Sequence, residues 1–300
     1  MALKVTPESV TLPAVSAREL ERNEVTPSNM PVVVIDGSAH WKQWWLDLYL
    51  YRGALQSLMW RNVRSRYKQA VLGMAWAVIQ PTVQVVVFTV VFGRLASVPS
   101  GGVPYPLFAL AGLLPWNLFA KVINDGAVSL VANQHIITKL FFPRIYLVLA
   151  VGASALLDAL VTLAALAALM VWYGLTPDAG ALFAVPALVG VIVLSYGLAA
   201  LLAAINARWR DVQHTLPFLM QVALFATPVL YQTSYLPSRW RFLLALNPMT
   251  GLIEIFRGSI LGLGLPEVRI VVVSLGVSFA AIVAGVWYFT RSEATIVDVV

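Results

Sequence analysis

From residue 70 onward, long apolar runs alternate with short polar ones. Six runs stand out, at residues 70–92, 106–123, 145–173, 181–205, 216–231 and 268–289. A helix needs roughly 20 predominantly apolar residues to cross the hydrocarbon core of a bilayer. The pattern therefore predicts six transmembrane helices, the third long enough to tilt and the fifth marginal in length and broken at Pro228. Residues 247–265, between the last two, are semi-apolar, rich in Gly and too interrupted to span. They read as a re-entrant or interfacial element, a shape tolerated only where protein buries it or it lines a cavity.

Upstream the periodicity changes. Trp41, Trp44, Trp45, Leu48, Tyr51, Leu55, Leu58, Met59 and Val63 recur mostly at three- and four-residue steps, the spacing of one helix face. Arg or Lys stands at 61, 64, 66 and 68, just before the first apolar run. An aromatic face with a basic end suits the membrane interface, where Trp sits at headgroup depth and cations meet lipid phosphate. A helix packed on a protein partner reads equally well. Residues 1–40 are polar, carry four prolines and have no apolar run near Met1. They read as a loose cytoplasmic extension, not a signal peptide. The domain plan is thus 1–40 extension, 41–69 amphipathic interface helix and 70–300 membrane domain.

Composition agrees with the pattern. The 300 residues are 60% hydrophobic and 11% charged, against about 45–50% and about 25% for ordinary domains, and the mean hydropathy is +0.81. Such a chain is neither a cytosolic enzyme nor a free nucleic-acid binder. The fold class is an all-α integral membrane protein. Fifteen of the Lys and Arg residues fall before the first run, around the second and fourth loops or after the sixth run, and five fall on the other side. The positive-inside rule then puts both termini in the cytoplasm. Cysteine is absent, and so are GxxxxGK[ST], HExxH and GxSxG. The three histidines, His40, His135 and His214, are far apart in polar segments. No catalytic or metal-ligating set emerges, and no cofactor is implied for this chain.

Polar residues inside apolar runs each cost free energy and so carry information. Asp158 lies midway along the third run. With no second acid or His in another run, it reads as a hydrogen-bonded or water-facing structural residue in preference to a proton relay. Gln80-Pro81, Gln84 and Pro115-Trp116-Asn117 combine helix breaks with side-chain donors. They place amides on a hydrophilic lumen or make ordinary interhelical hydrogen bonds. Trp76, Tyr105, Trp116, Phe119 and Tyr231 belong to an interfacial aromatic belt or to a path along which sugar rings stack. Glu254 and Arg257, three apart and beside Phe256, suit an ion pair on one helical face, locking a gate or only satisfying each other.

The run WRNVRSRYKQAVLGMAWAVIQP (60–81) resembles the start of a type-2 ABC exporter permease. So do VFTVVFGRLASVPSGGVPYPLFALAGLLPWNLFA (87–120), SLVANQHIITKLFFPR (129–144), NARWRDVQHTLPFLMQ (206–221) and ALNPMTGLIEIFRGSILG (245–262). Together they resemble the O-antigen/polysaccharide (Wzm-type) branch of that family, over about residues 42–300. The resemblance implies a six-span permease of the bacterial inner (plasma) membrane, multi-pass, a homodimer bound to two copies of a separate cytoplasmic ABC ATPase subunit that holds ATP and Mg. It implies an interface helix at 41–67, a coupling helix at 129–139 docking into the ATPase, and gate elements at 237–246 and 250–261. The implied cargo is polysaccharide linked to undecaprenyl diphosphate, as in lipopolysaccharide biosynthesis.

On that resemblance, Arg61, Arg64, Arg66 and Lys68 are expected to attract the lipid diphosphate. Asn133, Gln134, His135 and Lys139 are expected to transmit ATPase closure, and the first and fifth spans to open a lumen at the dimer interface. Trp76, Tyr105, Trp116, Phe119 and Tyr231 would line the polymer path, and Glu254, Phe256 and Arg257 the periplasmic gate. Teichoic acid or another lipid-linked cell-wall polymer is the alternative cargo. An ion-coupled secondary transporter lacks paired intramembrane acids and repeated halves here, and a membrane glycosyltransferase lacks its acidic cluster.

Overall fold

A computed structural model of the chain describes residue 49 and residues 51–68, 75–139 and 142–299. All of these fall in one compact unit, 39–300. The N-terminal extension 1–40, the indoles of Trp41, Trp44 and Trp45, and the first residues of the first predicted span lie outside the described residues. So do the side chains of residues 66–68 and 294–299.

Among the described residues every regular element is helical. Helix α1, Arg52–Lys68, is the described part of the predicted interface helix. Its Ala54, Leu55 and Leu58 edge, with Tyr51 just before it, packs against the core, chiefly along α5, Ile145–Trp172. The apolar face thus meets protein of its own chain, while Trp60 is left exposed. Helix α2, Trp76–Phe88, contains Pro81 and widens into a π-helical stretch, Thr89–Leu95. Together these make a 20-residue apolar helix of which only 17% is buried.

Helix α3, Tyr105–Ala132, starts with Pro106 in its first turn, where the missing N–H is no loss, and runs for 28 residues. The hydropathy pattern ends this span at 123. The helix continues because Lys121 and Asp125 pair one turn apart at 3.0 Å, which keeps charged residues in helical register. With 78% of its apolar window buried, α3 is the axis of the bundle and packs on α5 and on α6, Ala184–Arg208. Asn133 ends it, with Nδ2 donating to the Ser129 carbonyl at 2.7 Å. A single turn, α4, Gln134–Ile137, follows. The predicted coupling element 129–139 therefore divides between the last turn of α3 and this short helix.

Helix α6 is led in by a 3₁₀ turn, Ala179–Phe183, capped by Asp178, whose carboxylate accepts from Gly180 N at 2.8 Å. Helix α7, Val212–Ala226, is the fifth predicted run. It stops at Thr227-Pro228, five residues before the apolar stretch does. Helices α8, Ser238–Ala245, and α9, Pro248–Ile260, occupy the places where two gate elements are expected, and α10, Val268–Val299, closes the chain. Among the described residues five helices are long and apolar enough to cross a membrane: Trp76–Leu95, Tyr105–Ala132, Ile145–Trp172, Ala179–Arg208 and Val268–Glu293. The fifth run of the sequence pattern is the one that gives a shorter helix.

Small residues let α6 and α10 approach to backbone contact, the usual device where helices associate inside lipid. A Cβ on Gly197 would lie 2.9 Å from Ile282 Cα, and one on Gly285 would collide with the Gly197 carbonyl. Exposed Val83, Val86 and Val87 on α2 and Phe218, Val222 and Phe225 on α7 leave an apolar surface suited to hydrocarbon or protein, not water. We expect Gly197→Val to lower stability by about 1–3 kcal/mol through overpacking, seen as a lower thermal unfolding midpoint in detergent. Gly53→Ala in α1, where nothing lies near the added carbon, is the matched control and should not lower the midpoint.

Candidate functional site

Where α7 ends, the backbone turns extended at Thr227 (φ −100°, ψ 143°), the conformation favoured for a residue that precedes proline. Residues 227–230, in the turn past the helix end, are buried, and buried backbone carbonyls outside regular structure need donors from side chains. Arg257 of α9 supplies the donors. One guanidinium nitrogen donates to Pro228 O at 3.1 Å and Val229 O at 3.0 Å, and the other to Tyr231 O at 3.2 Å. The Tyr105 hydroxyl donates to the intervening Leu230 O at 2.9 Å. Four consecutive carbonyls are thereby satisfied by two side chains.

The guanidinium is itself held by its surroundings. Only 2% of Arg257 is exposed, its Cζ sits 4.1 Å from the centroid of the Phe108 ring, and Glu254 Oε1 lies 3.9 Å away. The same carboxylate oxygen accepts from Thr233 N at 2.9 Å. Gly112 on α3 makes room for the extended stretch, since a Cβ there would stand 2.5 Å from Val229 O.

Local sequence explains how α9 is aimed. Asn247 caps it, accepting from Met249 N at 3.0 Å, with Pro248 in the first turn. The Asn247 amide also donates to Thr227 Oγ1 at 2.7 Å, so the residue that starts α9 fastens the end of α7. Ser274 of α10 donates to Ala245 O at 3.0 Å and accepts from Gly251 N at 3.2 Å.

The far end of α3, about 42 Å away at 1.5 Å per residue, carries the second polar centre. Arg61 of α1 donates to Asn133 Oδ1 at 2.6 Å. Two residues assigned to different tasks, diphosphate attraction and ATPase coupling, thus share one contact. Gln134, His135 and Lys139 are exposed around buried Ile137, and Arg64 is exposed nearby on α1. Arg66 and Lys68 occupy the last turns of α1, with side chains outside the described set. Asn206 ties this end together, donating to Ala127 O at 3.1 Å and accepting from Gln213 N at 3.1 Å.

The aromatic residues separate into two groups. Tyr105, Trp116 and Phe119, read in sequence as lining a polymer path, are 8%, 4% and 5% exposed. They are enclosed because α3 is the central helix. Trp116 and Phe119 pack on each other at 5.7 Å, so in this conformation their rings meet neighbouring helices. Trp76 is exposed, and Tyr231 is half-buried beside the Arg257 cluster. Glu254 and Arg257 pair at 3.9 Å, and Phe256 is buried in the hydrophobic core. Gln84 and Asn117 join α2 to α3 at 2.9 Å, an ordinary interhelical hydrogen bond. Sequence reasoning missed Phe108, Thr227, Asn247, Ser274 and Asn206. Of these only Asn247 had a local signal, an Asn-Pro pair before an apolar run.

The family model for the ABC-2 type transporter matches residues 53–261. The chain belongs to that family. It is 33% identical over 226 residues to the "O-antigen export system permease protein RfbA" of Myxococcus xanthus, covering 74% of this chain and 85% of that protein. It is 26% identical over 206 residues to the protein of the same name from Klebsiella pneumoniae, covering 67% and 79%. To the "Polysialic acid transport protein KpsM" of Escherichia coli it is 23% identical over 216 residues, covering 69% and 81%. The matched region of this ABC-2 transporter takes in both polar centres. Its family and its five long apolar helices make it a multi-pass membrane protein.

Removing one member of a buried charged cluster typically costs about 3–5 kcal/mol. Arg257→Met should therefore lower the thermal unfolding midpoint sharply. Arg257→Lys should fall between, because a single ammonium lacks the fork that reaches three carbonyls. Glu254→Gln, which keeps the acceptor for Thr233 N, should cost less than Arg257→Met.

Proposed function

We propose that this chain is the permease subunit of an ATP-driven exporter that carries O-antigen-type polysaccharide, linked to undecaprenyl diphosphate, from the cytoplasm to the outer face of the bacterial inner membrane. The observation that carries the reading is the 33% identity to an O-antigen export permease over 74% of the chain. The greater identity to that relative than to the polysialic acid transport protein favours an O-antigen-type cargo over an acidic capsule polymer.

In this reading the permease is a homodimer served by two copies of a separate ATPase subunit, which binds ATP and Mg. Both termini are cytoplasmic, as the basic residues favour. Helix α7, at 15 residues, is about 22 Å long. With the buried turn at residues 227–230 that follows it, it supplies the sixth crossing. The exposed apolar residues of α2 and α7 suit a subunit interface that parts to form the lumen. Helices α8 and α9 then act as the outer gate, with Glu254, Phe256 and Arg257 as its lock. The exposed Gln134, His135 and Lys139 meet the ATPase, and Arg61 passes the displacement from Asn133 to α1. Arg64, Arg66 and Lys68 hold the diphosphate of the cargo lipid by charge.

Deleting the gene should leave lipid-linked polysaccharide inside the cell and strip it from the surface. Unchanged surface polymer would overturn the assignment. A double-mutant cycle on Arg61→Ala and Asn133→Ala, read as ATPase turnover stimulated by the permease, should be non-additive, each single variant already giving most of the loss. Additive losses would separate α1 from the coupling path.

A further inference from the structure

We propose that α10 works as a coupling rod. It carries displacement from the turn after α4 to α8 and α9 at the opposite end of the bundle, with Glu293 and Ser274 as its positioning residues. This deepens the exporter reading and rests on it. Helix α10 runs unbroken from Val268 to Val299 and packs on α6, α8 and α9. Side chains fasten it at two places, and at 1.5 Å per residue about 28 Å of helix separates them.

The first fastening is Glu293. Its carboxylate accepts from Arg144 N at 3.0 Å, across 149 positions of sequence. Arg144 is the N-cap residue of α5 and follows α4 by a short connection. A helix start is commonly capped by its own Ser, Thr, Asp or Asn, but position 144 is Arg and makes no side-chain cap bond. The negative group that suits the positive end of α5 comes from α10 instead. A local cap would steady α5 equally well. Drawing the carboxylate from α10 makes the turn after α4 and the end of α10 move together.

The second fastening grips both elements at the other end. Ser274 donates to the carbonyl of Ala245, the last residue of α8, and accepts from Gly251 N of α9. One turn on, Ser278 donates to Pro248 O at 3.3 Å. At the start of α10 the Arg269 guanidinium lies 5.3 Å from the centroid of the Phe242 ring on α8. Gly251 precedes Glu254 by one turn of α9, so a shift imposed there reaches the Glu254–Arg257 pair. Between its fastened ends α10 meets α6 backbone to backbone, where a Cβ on Gly285 would collide with Gly197 O. That close approach holds the rod against α6.

The chain has no cysteine, so an introduced thiol is its only one and takes a single spin label. Ser238→Cys at an exposed position of α8 and, separately, Ser57→Cys at an exposed position of α1 report distances across the homodimer. The transporter is purified with its ATPase and measured by double electron–electron resonance, without nucleotide and with ATP and vanadate. With Glu293 intact, both distances should shift on adding ATP. Glu293→Ala should lose the shift at Ser238→Cys and keep it at Ser57→Cys. Glu293→Asp, which keeps the charge but is a methylene shorter, should do the same and serves should the alanine variant fold poorly. Glu293→Gln keeps an acceptor oxygen for Arg144 N and should keep both shifts. A shift at Ser238→Cys that is absent with Glu293 intact or survives in the alanine and aspartate variants overturns the proposal. So does loss at both labels together, the mark of a merely structural cap, or a glutamine variant that behaves as alanine. The exporter reading is judged separately by surface polymer in the deletion strain: polymer lost there, with the Ser238→Cys shift indifferent to Glu293, sinks the rod alone.

Discussion

Four neighbouring carbonyls, from Pro228 to Tyr231, need donors where the turn after α7 is buried among the other helices, and one end of the molecule is built around that need. Arg257 and Tyr105 meet it. Burying a guanidinium is expensive unless it is fully bonded and balanced, so Glu254 and the Phe108 ring come with it. Placing the extended chain against α3 requires Gly112, and holding α9 at the right height requires the Asn247 cap and its bond to Thr227. Each of these residues answers a demand created by the one before it. The origin of the series is Thr227-Pro228, where the backbone leaves the helix and turns extended.

The opposite end of α3 has a different physical character. The Arg61–Asn133 hydrogen bond is exposed, and exposed charged contacts are worth only about 0–1 kcal/mol. Water replaces such a bond readily, whereas the Arg257 side chain is only 2% exposed. One end of the central helix is therefore clamped and the other loosely latched. A domain docking on the α4 side meets the weaker restraint first, which suits a surface that must move when pushed.

Hydrophobic periodicity located five of the long helices because lipid-facing and core-facing residues are both apolar, and the run lengths survive any ambiguity of face. It failed on extent wherever polarity and helicity part company. Lys121, Asn124 and Asp125 lower the hydropathy of α3 without interrupting it, since a pair one turn apart stabilises the helix. Thr227-Pro228 ends α7 inside a stretch that stays apolar. The Glu254–Arg257 spacing was legible as an ion pair, but the carbonyls that Arg257 serves lie as many as 29 residues upstream and Phe108 lies on another helix. No local pattern reports such partners. Trp116 and Phe119 are expected to line a path because aromatic rings stack on sugars, and residue type does not report that the helix carrying them is the enclosed one.

One helix, α3, carries Tyr105 and Phe108 in its first turn, and Asn133 directly follows its last. Its two ends are thus in fixed rotational phase. Inserting or deleting a single residue anywhere between them would turn one end by about 100° relative to the other. Either the hydroxyl that serves Leu230 or the amide that serves Arg61 would then face the wrong neighbour. Apart from positions such as Tyr105, Phe108 and Gly112, side chains along α3 are open to drift in identity over generations, but its length is not. Among natural variants of this transporter, gains and losses of residues belong in the loops after α2 and α5, with the interval from Tyr105 to Asn133 kept constant.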